Sequence, residues 1–207
     1  RLLTWWQNYL AAGPTDLPPT RHPEITLSVP AGEYRIVAKY DLVAVQPGQQ
    51  AVIVDWKTGQ HRPRQAWLNA RLQTRVYRYI LATAGAHLNG DQPLLPGQIT
   101  MLYWFANHPG QPERLPYSDE QCRADGRYLL NLVNEIATAA TADGDDEAAF
   151  PKTDDVRRCR FCPYRSLCDR GAEAGDMTEQ TPEDVEPEPA RDWLDQIDFE
   201  QIGEIVF

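Results

Sequence analysis

Apolar and polar positions alternate through the first third of the chain. Glu24–Val29, Glu33–Val45 and Ala51–Lys57 are rich in β-branched residues and are separated by Pro30-Ala31-Gly32 and Pro47-Gly48. Period-two alternation marks half-buried strands, and Pro/Gly clusters mark turns, so three strands are predicted as a meander. In the third, Ile53-Val54 is apolar and Trp56 is large, which predicts a strand buried on both faces. The period then lengthens. From Arg64 to Ala84, Leu68, Leu72, Val76, Tyr79 and Ile80 recur on one helical face, with Pro63 suited to the first helical position. Gln98–Phe105 reads as a central strand, and Tyr117–Thr141 as a second long helix. Ser118, with Gln121 three residues later, opens that helix as a capping box.

Residues 1–12 (Trp5, Trp6, Tyr9, Leu10) read as the end of a helix with an aromatic face, and Gly13–Pro23 as a Pro-rich loop. The order helix, three strands, helix, strand, helix predicts an α/β sandwich around one mixed sheet. Four regions follow: residues 1–23, the end of an N-terminal helical part and its loop; 24–150, the core; 151–170, a cysteine segment; and 171–207, a tail rich in Glu, Asp and Pro, whose composition predicts disorder. Within the tail, Trp193, Leu194, Ile197, Phe199, Ile202, Ile205, Val206 and Phe207 are spaced by three and four among acids. That spacing fits either a short amphipathic helix formed on a partner or on the domain, or a solvated linker with an apolar end.

Charge changes the picture only through its placement. The net charge is −10, but residues 171–207 hold twelve acids against Arg191 alone, so residues 1–170 carry a balance of +1. A neutral body can bind phosphate through a local basic strip. No apolar run approaches the ~18 residues of a membrane span, and nothing resembles a signal peptide. A soluble, cytoplasmic protein without a membrane partner is expected. The chain begins at Arg1, so a fragment or trimmed chain is expected, with elements before it.

The candidate chemistry lies at strand ends. Asp41 closes the stretch Tyr34–Asp41, and fourteen residues on, Asp55 and Lys57 end the buried strand on one face. Two carboxylates and a lysine converging there can hold Mg²⁺ or Mn²⁺ and steady a phosphate with its attacking water. Glu24 stands at another strand end. Surface charge at strand ends is the plain alternative, but an aspartate and a lysine at the end of a buried strand carry a desolvation cost that a bound cation facing a phosphate would offset. On the following helix, Gln73 and Tyr77 are four apart and share a face near that site.

Asp41, Asp55-Trp56-Lys57-Thr58-Gly59 and Gln73-x-x-x-Tyr77 resemble the nuclease core of the PD-(D/E)xK superfamily, in particular the RecB-like branch with the Gln-x-x-x-Tyr signature, over residues 24–168. The resemblance implies a restriction-endonuclease-like fold with a central mixed sheet flanked by helices. It implies that Asp41 and Asp55 bind the divalent ion, that Lys57 positions or polarises water, and that Gln73 and Tyr77 contact substrate. Glu24 falls where the family places an additional acid. Members of this branch carry a metal-binding histidine on a helix upstream of the first strand; the nearest candidate here is His22, in the Pro-rich loop, unless the histidine lies before Arg1.

Cys159, Cys162 and Cys168 are too few for a disulfide framework and have the spacing of metal ligands, for an iron–sulfur cluster or for zinc. They resemble the C-terminal cysteine motif of AddB and CRISPR-associated nucleases, which implies a 4Fe-4S cluster completed by a cysteine ahead of the core. That fourth ligand is expected upstream of Arg1, with Cys122 as the alternative. Arg157, Arg158, Arg160, Arg165 and Arg170 in the same segment suit DNA phosphates. The expectation is a Mg²⁺/Mn²⁺-dependent deoxyribonuclease, an exonuclease acting on DNA with a helicase or another repair or recombination protein as partner. The alternative is an inactive nuclease-fold module for DNA binding or assembly.

Overall fold

A computed structural model describes residues 1–141, 150–156, 159 and 162–171. The acidic tail with its apolar end, and Arg157, Arg158 and Arg160, lie outside the described residues. Helix α1 (Leu2–Ala12) leads into β1 (Thr20–Pro23), β2 (Thr26–Ala31), β3 (Tyr34–Lys39), β4 (Leu42–Gln46) and β5 (Gln50–Lys57). Helices α2 (Gln65–Ala70) and α3 (Leu72–Ala84), strands β6 (Ile99–Phe105) and β7 (Glu113–Pro116), and helix α4 (Asp119–Thr141) complete the core.

The meander takes a different form from the one expected. Thr20 faces Val45, and Ala31 faces Tyr34, in one unbroken antiparallel register. β1–β2 and β3–β4 are therefore the two arms of one long hairpin, bent where Glu24 and Ile25 meet Asp41 and Tyr40. The arms stay bonded through the bend: Glu24 N–H donates to the Asp41 carbonyl at 3.0 Å and Tyr40 N–H to the Ile25 carbonyl at 2.8 Å. Glu24 turns the chain in the left-handed region (φ 52°). The lower arms join the main sheet while the upper arms stand off it as a separate two-stranded ribbon. Thus the stretch Glu33–Val45 is two strands, not one, and Thr20–Pro23, expected as loop, is an edge strand.

The main sheet runs β1-β4-β5-β6-β7. β5 and β6 are parallel, and every other neighbouring pair is antiparallel. This is a central mixed sheet flanked by helices, an α/β architecture consistent with the restriction-endonuclease-like fold. One face carries Val43, Ile53, Met101 and Leu115 under Leu68, Ile80 and Leu81 of α2 and α3. The other carries Val52, Val54 and Leu102, with Leu17, Leu42 and Trp56 packed against them. There α1 is held by Tyr9, whose ring meets Trp56 and Trp104 edge-on at 5.6 and 5.9 Å. Each fully buried aliphatic side chain in these layers contributes about 1.5–3 kcal/mol.

The long helix expected over 64–84 is interrupted at Arg71, which is extended (φ −58°, ψ 139°). Helix α2 begins at Gln65, so Pro63 precedes it rather than opening it. The break re-phases the second half, and Leu72, expected in the core, is 48% exposed while Thr74, Arg78, Ile80 and Leu81 are buried. The helix α4 starts as its capping box predicts: Gln121 N–H donates to Ser118 Oγ at 3.2 Å and Ser118 N–H to Gln121 Oε1 at 3.1 Å. β7 has no counterpart in the sequence pattern, because its four residues end in proline and alternate too briefly to register.

Helices α3 and α4 meet around a buried ionic cluster. Asp125 accepts from Arg75 Nε at 2.6 Å and from the Tyr117 hydroxyl at 3.1 Å, and lies 3.9 Å from Arg78. Arg78 is only 2% exposed and also donates to Asn69 Oδ1 at 2.8 Å. Removing one member of such a cluster strands the others without water, at a cost of about 3–5 kcal/mol. Asp125→Ala is therefore expected to lower the unfolding free energy by about that amount, with Arg78→Met in the same background recovering part of the loss. Equilibrium denaturation of both variants measures this.

Candidate active site

β5 and the bend ahead of β4 bring Asp41, Asp55 and Lys57 to one sheet face. Continuing the register in which Leu42 faces Val54 sets Asp41 beside Asp55, and Asp55 faces Tyr103 of β6. Facing residues in neighbouring strands project to the same side. Asp41 sits in the hairpin bend rather than at a strand terminus, and its Oδ2 accepts the Trp56 N–H at 3.0 Å. That bond fixes the bend against the end of β5.

Asp55 is 3% exposed. Its Oδ1 accepts from Gln73 Nε2 at 2.9 Å. Its Oδ2 lies 2.9 Å from the Lys57 ammonium, so the acid and the amine form an ion pair. Burial pushes the Asp55 carboxyl above the ordinary aspartate range; the charge of Lys57 pulls it down, Asp41 raises it further, and Arg71 lowers it. Lys57 in turn donates to Gln73 Oε1 at 3.1 Å. One carboxamide therefore joins the acid and the amine, with its nitrogen toward Asp55 and its oxygen toward Lys57. The break at Arg71 sets the phase of α3 from which Gln73 reaches them.

Tyr77 is one helical turn further along. Its hydroxyl donates to the Lys39 carbonyl at 2.6 Å, and the Tyr40 hydroxyl donates back to the Tyr77 carbonyl at 2.9 Å. The two rings lie 4.7 Å apart. Tyr77 thus ties the upper ribbon to α3 at the edge of the site. Glu24 is the partner of Asp41 across the bend, but its left-handed backbone directs the carboxylate to Lys39, at 2.6 Å. His22 lies in β1 opposite Val43, and its buried Nε2 has no hydrogen-bond partner.

The oxygen donors fit a hard divalent cation, because the buried Asp55 carboxylate stands beside a second acid, Asp41. The set is of two carboxylates: among the described residues no group of three His, Cys, Asp or Glu is arranged to hold a metal ion.

A family model described as the PD-(D/E)XK nuclease superfamily matches residues 1–169. The chain belongs to that superfamily. Among solved structures, one titled "Crystal structure of SSO0001" aligns over 81% of this chain and 67% of that one, at 10% identity and a TM-score of 0.45. A comparison with curated proteins finds no match. Members of the PD-(D/E)XK superfamily are generally nucleases that use divalent metals, and DNA is the substrate the family implies. No helix among the described residues is long and apolar enough to cross a membrane.

Among the described residues the cysteines of this nuclease-family chain are not gathered into a metal-holding group. Cys159, Cys162 and Cys168 are half-buried free thiols on successive tight turns; Cys162 N–H donates to the Cys159 carbonyl at 3.3 Å, and Arg170 Nη1 approaches Cys159 Sγ at 3.6 Å. Cys122 is packed against the main core beside Tyr117 instead, where burial pushes its thiol up.

Sequence reasoning missed Tyr103 and Asn107, and reads Arg71 only as one of three arginines, with Arg75 and Arg78, that supply positive charge beside Gln73 and Tyr77. Arg71 is nearly buried, its guanidinium 4.8 Å from the Trp67 ring, and its charge reaches Asp55. Tyr103 lies under the site, its ring 5.6 Å from the Lys57 ammonium and its hydroxyl 2.6 Å from Thr74 Oγ1. Only their alignment with Asp55 across the sheet or along α2–α3 reveals them, and alignment needs the register.

The raised Asp55 carboxyl has a consequence for stability. Between the ordinary aspartate value, about 3.9, and its higher folded value, the folded state binds more protons than the unfolded one. Stability therefore falls as pH rises through that window. In a chelator, Asp55→Asn is expected to raise the thermal midpoint at neutral pH, with the gain vanishing below about pH 4 where both states are protonated. A pH series of melting curves measures this; a lower midpoint for the variant at neutral pH would mean that attraction to Lys57 outweighs burial.

Proposed function

We propose that the chain is a DNA nuclease that hydrolyses phosphodiester bonds at the Asp41–Asp55–Lys57 face, working from DNA ends. The observation that carries this reading is the joined set of Asp55, Lys57 and Gln73 beside Asp41, at the end of a buried strand. A structural role alone does not account for a buried carboxylate paired with a lysine beside a second acid, since an apolar residue there would be cheaper to bury.

Asp41 and Asp55 would hold a divalent cation, Mg²⁺ or Mn²⁺, which supplies Lewis acidity toward the phosphate and a water of lowered pKa. The protein's own groups do the rest. Lys57 presents an ammonium whose position is fixed from two sides, by Asp55 at 2.9 Å and Gln73 at 3.1 Å. From there it can donate to the attacking water and offset charge gathering on the phosphate. Gln73 holds both groups in register, and we assign Tyr77 and Glu24 to the substrate side of the site, where the ribbon meets α3. No step of this chemistry runs through the cysteines.

The test is degradation of linear duplex and single-stranded DNA with Mg²⁺ or Mn²⁺. Asp41→Ala, Asp55→Ala and Lys57→Ala should each lower the rate by about a hundredfold or more while the circular dichroism spectrum is kept. Covalently closed circles should resist. Full activity in any of the three variants defeats the assignment of that residue; digestion of closed circles defeats the end-directed part; an inactive parent that still retains DNA indicates a binding module.

A further inference from the structure

We propose that Asn107 is a positioning residue of this site, acting as a side-chain clamp on the segment that leaves Lys57. The inference rests on the nuclease reading above. The parallel pairing of β5 with β6 faces Lys57 with Phe105, and its last main-chain rung is Ala106 N–H to the Lys57 carbonyl at 2.8 Å. Beyond that point β6 can supply no further rung, because His108 N–H turns back to the Phe105 carbonyl at 3.0 Å. Side chains take over the ladder. Asn107 Nδ2 donates to the carbonyls of Thr58, at 3.0 Å, and Gly59, at 2.8 Å. His108 Nε2 then meets the Gln60 carbonyl at 3.0 Å. Four consecutive carbonyls, from Lys57 to Gln60, are thus held by Ala106, Asn107 and His108 in order.

The orientation of the Asn107 amide is itself set from the opposite face of the sheet. Its Oδ1 accepts the indole N–H of Trp5 at 2.9 Å, and Asn8 Nδ2 of the same helix donates to the Ala106 carbonyl at 2.8 Å. With its oxygen occupied by Trp5, the carboxamide can turn only its NH₂ toward the segment. Held in this way, the exit from β5 keeps Lys57 between Asp55 and Gln73. Released, the backbone after Lys57 relies on water for its carbonyls, and the ammonium loses its fixed approach. A displacement near 1 Å in such a group costs up to about a hundredfold in rate.

Asn107→Asp separates this role from packing. The variant is isosteric and still accepts from Trp5, but its second oxygen cannot donate to Thr58 or Gly59. For DNA hydrolysis with Mn²⁺, kcat is expected to fall about tenfold or more, with KM little changed and the thermal midpoint kept within a few degrees. Amide hydrogen exchange over 58–61 should accelerate in the same variant. Trp5→Phe should reproduce a smaller kcat loss, because the amide is then free to flip. Unchanged kcat in Asn107→Asp, or a loss matched by general unfolding, overturns the proposal. If the parent cleaves no DNA, the nuclease reading falls and the catalytic role of Asn107 falls with it; faster exchange over 58–61 would then mark only a structural clamp.

Discussion

The desolvation of Asp55 is the constraint around which the rest is arranged. A carboxylate at the end of an apolar strand is costly to bury, and Lys57 alone relieves that cost only in part, since the carboxyl remains pushed upward. Keeping it there requires a hydrogen-bond donor from outside the sheet, and Gln73 provides one. The position of Gln73 depends on the phase of α3, that phase depends on the break at Arg71, and the buried cluster of Arg75, Arg78 and Asp125 fixes α3 against α4. The candidate site is therefore held in place by packing several residues away from Asp55 and Lys57.

The bent hairpin solves a second problem. Asp41 must stand beside Asp55, yet β3 and β4 belong to different layers. A single register running through the bend lets the lower arm pair with β5 while the upper ribbon folds over α3. The arms stay hydrogen-bonded through the bend, at the place where the acid is presented. Tyr40 and Tyr77 lock the ribbon to the helix, which places a large surface, bearing Lys39 and Glu24, immediately beside the two carboxylates.

How much of this was legible follows from the range of each signal. Asp55 and Lys57 share a face because a strand alternates, and the cap at Ser118 and Gln121 is written within four residues; local rules suffice for both. Strand-end position marks Asp41 and helical spacing pairs Gln73 with Tyr77, and the family resemblance joins them as one set; the structure brings Asp41 and Gln73 to Asp55. The strand break at Tyr40–Asp41 was hidden, because each half alternates correctly and only the pairing partners differ. The break at Arg71 was hidden too: no Gly or Pro marks it, and the Thr74 hydroxyl that bonds the Leu68 carbonyl there looks like any helical threonine. β1 and β7 are too short and too proline-flanked to stand out. Asn107 is beyond sequence reasoning, since its partners Thr58 and Gly59 are about fifty residues away and Trp5 about a hundred.

The same alternation that gathers Asp55 and Lys57 sends Trp56 to the other face, and this couples the two sides of the sheet. Trp56 lies 5.6 Å from both Tyr9 and Trp104, edge to face, and the Trp104 indole donates to the Ala12 carbonyl at 3.0 Å. Helix α1 is thus seated directly behind the acid and the amine, and Trp5 and Asn8 of that helix reach the turn that follows β6. A strand of period two cannot shift one face without shifting the other. The aromatic packing of α1 is for this reason part of what holds the face bearing Asp55 and Lys57 in register.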